Sequence, residues 1–205
     1  MKLNNKGFSL IELSIVLIII GLLVAGITGG ASLIKSAELR AVMSEIRNYQ
    51  TAVNAYYTAA GKLPGGLDSD QLNFTETGVA WKDIFDEGIT DEEPTTVTGS
   101  ATSLTSNYGM TSKIKGSYYV LGYNTPMDMN VILIASGTET PANLTAGTPA
   151  NASIPSKDAK FLDEKMDNGN RTTGKVNSFA ATSTTCDYDN PTTSKDCVIA
   201  FGLGI

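Results

Sequence analysis

The sequence predicts an α+β fold in which one long N-terminal helix packs on a C-terminal antiparallel sheet of about four strands. From Leu13 to Ile34 the chain carries no charged residue, and an amphipathic pattern then continues to Ala60 without a helix breaker. Farther along, short runs rich in β-branched and aromatic residues alternate with polar, glycine-containing segments, as strands and turns do.

The apolar run is long enough to cross a membrane once. A helix over these 22 residues would rise about 33 Å at roughly 1.5 Å per residue, close to the hydrocarbon thickness of a bilayer. Lys2 and Lys6 precede it, so the positive-inside rule leaves the N-terminus in the cytoplasm and sends residues 35–205 across. A secretory signal would instead have a shorter apolar segment followed by a small-residue cleavage site. We therefore expect a single-pass membrane helix.

The residues in front of this helix carry a specific signature. The run Lys6-Gly7-Phe8-Ser9-Leu10-Ile11-Glu12-Leu13, followed directly by an apolar helix, resembles the N-terminus of type IV prepilins and type II secretion pseudopilins. The resemblance implies that a prepilin peptidase cuts between Gly7 and Phe8 and methylates the new N-terminal Phe8. It also implies that an inner-membrane assembly platform polymerises the chain, with like subunits and other pilins, into a helical filament.

These features divide the chain into four segments. Residues 1–7 form the leader peptide, 8–34 the transmembrane and filament-core helix, 35–60 its amphipathic continuation, and 61–205 a globular pilin-like head. The amphipathic part has one apolar stripe, which we expect to pack on the chain's own sheet and which comprises Leu39, Val42, Ile46, Tyr49, Val53 and Tyr56.

Glu12 is an acid one turn into an otherwise apolar helix. A carboxylate carried into lipid costs about 2.5–3.5 kcal/mol on insertion scales. Either Glu12 stays hydrated at the head-group level or, as the resemblance favours, it pairs with the Phe8 amine of a neighbouring subunit during assembly.

Small residues recur along the same helix. Gly21, Ala25 and Gly29 are spaced by four, and Gly26 and Gly30 form a second such pair, so neighbouring helices could approach closely along this ridge. Each glycine also weakens a helix by about 1 kcal/mol relative to alanine. The stretch 26–30 is therefore where we expect bending or local melting.

The head is predicted to contain two helices and four strands. The helices cover 78–88, with Trp81, Ile84 and Phe85 on the face that covers the core, and 156–167, with Ser156 as N-cap. The strands are the runs in which β-branched and aromatic residues are concentrated, namely 117–123, 130–135, 175–180 and 197–205. Two segments rich in Thr, Ser and Gly, 94–112 and 136–153, are expected to be surface loops that add nothing to the core.

The exported part of the chain is acidic and contains both cysteines. Without Lys2 and Lys6 it has 13 basic against 21 acidic residues, a net charge of −8. Such a surface repels phosphate backbones, so nucleic acid is not an expected partner. Cys186 and Cys197 both lie on the translocated side, where oxidation is permitted, and we expect them to form a disulfide.

No catalytic constellation is visible, so the sequence does not predict an enzyme. The chain has no histidine, which removes His-dependent triads and the commonest zinc ligand. The run 169–176 is close to a phosphate-binding loop, but Val176 stands where a Ser or Thr would hold magnesium. Four side chains could offer oxygen ligands to calcium, which some pseudopilins use, namely Asp163, Asp167, Asn168 and Asn170. The favoured interpretation is instead that they belong to a helix end capped by glycine. We therefore predict no cofactor.

The favoured function is a structural subunit, major or minor, of a type IV pilus or a type II secretion pseudopilus. The alternative is a binding module, a tip pilin or adhesin whose loops 94–112 and 136–153 touch a surface or a secreted substrate. In either case the chain is expected in the inner membrane before assembly and in a periplasmic or cell-surface filament afterwards.

Overall fold

The computed structural model describes residues 9–66, 70–94, 109–137, 139–182 and 184–205. The expected leader and Phe8 lie outside these residues. The chain divides into two compact units, Met1–Glu38 and Leu39–Ile205.

Helix α1 extends from Leu10 to Ala60 and contributes to both units. In the first unit its large apolar side chains are exposed, including Leu22 at 71% and Ile27 at 70%. The backbone is helical throughout Gly26–Gly30, so the local melting expected there is not observed. Glycine lowers helix propensity, but it still supplies the N–H and C=O groups that the helical hydrogen bonds require.

In the second unit α1 packs through the predicted apolar stripe. All six stripe residues are buried, and Val42, Ile46 and Val53 are fully so. They share one core with helix α2, Thr77–Asp86, whose Trp81 and Ile84 are also fully buried. The indole N–H of Trp81 donates to the backbone oxygen of Tyr119 at 3.0 Å, so this buried polar group is satisfied.

Within the described residues the sheet has six antiparallel strands, of which the four longer ones were predicted. They are β1 Met110–Thr111, β2 Ser117–Asn124, β3 Met129–Ser136, β4 Ile154–Pro155, β5 Val176–Ala180 and β6 Lys195–Gly202. The order is β1-β2-β3-β6-β4, and β5 also pairs with β6. The fold class expected from the sequence, a long helix on an antiparallel sheet, is confirmed.

The sheet buries its other face as well, which the sequence did not reveal. This face is covered by helix α3, Pro141–Ala146, and by two 3₁₀ turns, Phe74–Glu76 and Thr125–Met127. Phe74 lies so close to Gly122 of β2 that a Cβ there would overlap its ring, so only glycine fits. An apolar face on each side of a sheet requires a covering layer on each side.

Two predicted surface loops therefore need correction. Segment 136–153 contains α3, and it buries Leu144 at 1% and Glu139 at 0% exposure. Glu139 accepts hydrogen bonds from the backbone of Thr140 and Asn151 and from the Asn143 amide, which stabilise the segment. Of segment 94–112, residues 95–108 lie outside the described part, while Met110 is buried in β1.

Helix α4 spans Ser156–Met166, one residue short of the prediction. Ser156 is its first residue rather than its N-cap. Both carboxylate oxygens of Asp196, at the start of β6, accept from Ser156, one from the backbone N–H and the other from the hydroxyl. An acid from a distant strand thus caps this helix, as negative groups do at helix N-termini.

Candidate functional site

Glu12 lies in the first turn of the described helix. Its Oε2 accepts a hydrogen bond from the backbone N–H of Ser9 at 2.9 Å, and its side chain is exposed. A carboxylate in this position satisfies one of the free N–H groups at a helix N-terminus. Among the described residues, the partner of this charge is therefore local, at Ser9.

The small-residue ridge is open. A Cβ at Gly21, Gly26, Gly29 or Gly30 would meet nothing within 4 Å, and Ala25 is exposed. Helix α1 is also the one described helix that is long and apolar enough to cross a membrane. Within the described residues nothing covers the four glycines, so lipid or other helices can contact them.

In the second unit, two buried tyrosines form hydrogen bonds with acidic side chains. The Tyr49 hydroxyl donates to Glu92 Oε2 at 2.8 Å, and the Tyr119 hydroxyl donates to Glu45 Oε2 at 2.7 Å. Burial is the largest cause that raises the pKa of Tyr49 well above its usual range, and the hydrogen bond to Glu92 and the charges of Glu92 and Glu45 add to it. Burial raises the pKa of Tyr119 similarly. Both hydroxyls stay neutral and serve as fixed donors.

Cys186 and Cys197 form the expected disulfide, with their Cα atoms 5.0 Å apart. Cys197 is in β6, so the bond closes the segment between them onto the sheet. Tyr188, which lies in that segment, is buried in the core. Its hydroxyl lies 2.8 Å from the Ser178 hydroxyl, and Lys160 Nζ donates to its backbone oxygen at 2.9 Å.

The four calcium candidates lie together at the end of α4, where their oxygens accept hydrogen bonds from the backbone. Gly169 donates to Asp163 Oδ1, and Lys175 and Val176 donate to Asp167 Oδ2. Asn168 and Asn170 each accept the N–H two residues on. Gly169 has φ +73°, as a helix-ending glycine does. Within the described residues no three His, Cys, Asp or Glu side chains are grouped to hold a metal.

Asp163 is the unusual member of this cluster. It is fully buried, and its second oxygen, Oδ2, forms no hydrogen bond of ordinary geometry with a described residue, although the Tyr188 hydroxyl lies nearby. Burial raises the pKa of its carboxyl to about 6, although the hydrogen bond from Gly169 acts in the opposite direction. The group therefore titrates close to neutral pH.

A basic groove of about 350 Å³ lies beside helix α1 in the head. It is lined by Arg47, Gln50 and Asn54 of α1, by Lys175, and by Gly202 and Leu203 at the end of β6. Sequence reasoning missed it because its two cations come from distant parts of the chain and follow no shared pattern.

Comparison with known proteins supports the N-terminal signature. Residues 2–28 match the family model described as the prokaryotic N-terminal methylation motif. No curated protein matches the sequence. Among solved structures, the major type IV pilin PilA1 from Clostridium difficile is similar, at 16% identity and a TM-score of 0.42, over 84% of this chain and 98% of that chain. The chain carries the prokaryotic N-terminal methylation motif, and the resemblance at residues 6–13 is confirmed at that level.

Proposed function

We propose that this chain is a structural subunit of a type IV pilus or a type II secretion pseudopilus. The observation that carries the proposal is the methylation motif at 2–28, leading directly into a helix whose apolar side chains are exposed. Apolar surface of this extent requires a covering. Lipid covers it before assembly, and the helices of neighbouring subunits cover it in the filament.

Processing prepares the chain to move from the lipid bilayer into the filament. Prepilin peptidase cuts between Gly7 and Phe8 and methylates Phe8, so Glu12 then lies four residues from the new N-terminus. Inside a filament core an unpaired carboxylate costs several kcal/mol. The Phe8 amine of an adjoining subunit provides the matching charge, and a subunit inserted out of register would leave both charges unmatched.

The open ridge supports the same role. Because nothing in the described part of the chain occupies the space beside Gly21, Gly26 and Gly29, a second helix can approach there to near backbone contact. Van der Waals packing along such a ridge is the principal attraction between apolar helices in lipid.

Intact-mass analysis of protein from sheared filaments tests the proposal. We expect the mass of residues 8–205 plus one methyl group, with Cys186 and Cys197 oxidised. Assembled protein that retains Met1, or that begins after residue 30, would contradict it. Deletion of the chain then separates the two filaments, since loss of surface fibres identifies a pilus and loss of exoprotein secretion identifies a pseudopilus.

A further inference from the structure

The basic groove holds two cations without partners. The Arg47 and Lys175 side chains are exposed and form no hydrogen bond or ion pair with any described residue. The wall between them is fixed, because Gln50 Nε2 donates to the Gly202 oxygen at 2.8 Å. Asn54 Nδ2 donates to the Gln50 backbone oxygen at 2.8 Å. The groove therefore presents positive charge on a supported frame.

The same head has a complementary acidic edge, formed by Glu87, Asp91 and Glu93 after helix α2. All three are exposed, and none forms an ion pair with a described residue. Between them, Glu92 is held by the Tyr49 hydroxyl and Ile89 packs against the core. The acidic edge is therefore also attached to the core.

The groove and the edge lie on opposite flanks of α1. Arg47 and Tyr56 are nine positions apart, which places their side chains about 180° apart around a helix of roughly 3.6 residues per turn. Tyr56 is on the buried side of α1 together with Tyr49, whose hydroxyl donates to Glu92 between the acids of the edge. No hydrogen bond or ion pair joins the two surfaces within the described part of one head, so both are available to a second head.

We propose that the acidic edge of one subunit docks in the basic groove of the next, with Glu87, Asp91 and Glu93 facing Arg47 and Lys175. The proposal rests on the filament function above. A contact between two different surfaces is head-to-tail. When the rotation from one subunit to the next does not close a ring, such a contact repeats indefinitely and produces an open helical filament. Mature heads of net charge −8 otherwise repel one another, so matched charge also selects the register.

Cross-linking of mixed filaments tests the contact. Filaments assembled from ¹⁴N- and ¹⁵N-labelled full-length chains are treated with a carbodiimide, which joins lysines to carboxylates they touch. We expect heavy–light peptides linking Lys175 to Glu87, Asp91 or Glu93. The double variant Arg47→Glu, Lys175→Glu should lower filament yield more than tenfold. Adding Asp91→Lys and Glu93→Lys should restore it.

The matched control carries the same charge change at two exposed lysines outside the groove, Lys115→Glu and Lys157→Glu, and should assemble normally. Trp81 fluorescence verifies that each head is folded. Filaments that lack the heavy–light links, or a charge swap that does not restore assembly, would overturn the docking and leave the filament function standing. Links from the groove to another protein's carboxylates would also overturn it. Failure of the unaltered chain to form filaments would overturn both.

Discussion

The two units of this protein use the same helix α1 in opposite ways. In the first unit its apolar residues are exposed, with Leu17 at 61% and Leu23 at 58%, whereas in the second Val42, Ile46 and Val53 are at 0%. The difference follows from sequence pattern. Apolar residues all round a helix require other molecules, while a single stripe can be covered by the chain's own sheet.

The two units therefore differ in whether their apolar surface is covered within the described chain. The head buries its apolar surface and satisfies most of its buried polar groups within the described chain, with one oxygen each of Asp163 and Asn177 among the exceptions. The first unit leaves an open ridge and a locally held carboxylate. Substitutions in the first unit should change assembly without changing head stability, and substitutions in the head core should do the reverse.

Glu12→Val gives the largest expected effect. Filament incorporation should fall more than tenfold, because the carboxylate proposed to pair with the neighbouring Phe8 amine is lost. Membrane insertion, the disulfide and the unfolding midpoint of the head should not change, since the described contact of Glu12 is with Ser9 in its own turn. Filament yield and Trp81 fluorescence in denaturant measure the two effects separately.

Two further variants sharpen this test. Glu12→Gln should also assemble poorly, because it keeps the shape but not the charge. Ser14→Val changes a nearby uncharged residue, whose hydroxyl donates to its own helix, and should assemble normally. Normal assembly of Glu12→Val would show that the charge is not used.

Removing the disulfide should affect the other unit. Cys186→Ala with Cys197→Ala opens a short loop and should destabilise the head by about 3 kcal/mol in the chain-entropy treatment. Tyr188 and Asp196 retain their own hydrogen bonds, so the segment should loosen rather than detach. Urea unfolding of the detergent-solubilised full chain, followed by the single tryptophan, measures the change. An unfolding free energy within 0.5 kcal/mol of the unaltered protein, about the spread of a neutral surface substitution, would contradict the prediction.

The sequence predicts the elements that have a strong local pattern and misses those that depend on tertiary contacts. The strands around residues 117–124 and 129–136 were found because β-branched and aromatic residues are concentrated there. Helix α3 was missed because six residues of mixed polarity carry no period. Buried Glu139 had no signal at all, because its burial depends on donors that the fold brings to it.

The candidate site shows the same division. The methylation motif is a continuous run of residues, so the sequence alone locates it. The basic groove joins a helix to the residue before β5, and the cap of α4 comes from β6, so neither can be read along the chain. The acids at the end of α4 were noticed, but their oxygens face backbone N–H groups, which only the structure reveals.

Substitution of Asp163, inside the head, has the smallest expected effect, which is a change in how stability depends on pH. Burial raises the pKa of its carboxyl from 3.8 to about 6. Between these values the folded protein keeps a proton that the unfolded chain releases, so this group's contribution to stability is fully present below about pH 4. It is lost as the pH rises towards 6 and remains lost above that value.

Asp163→Asn should remove this dependence, because the amide oxygen can still accept from Gly169 and no charge forms at the buried Oδ2 position. At pH 7 the variant should be more stable by on the order of 1 kcal/mol, and near pH 4 the difference should vanish. Asp189→Asn, at an exposed acid nearby, should show no such trend. Urea midpoints measured from pH 4 to pH 8 decide the matter, since a stability difference that does not change with pH would mean that the Asp163 carboxyl is not held protonated by its surroundings.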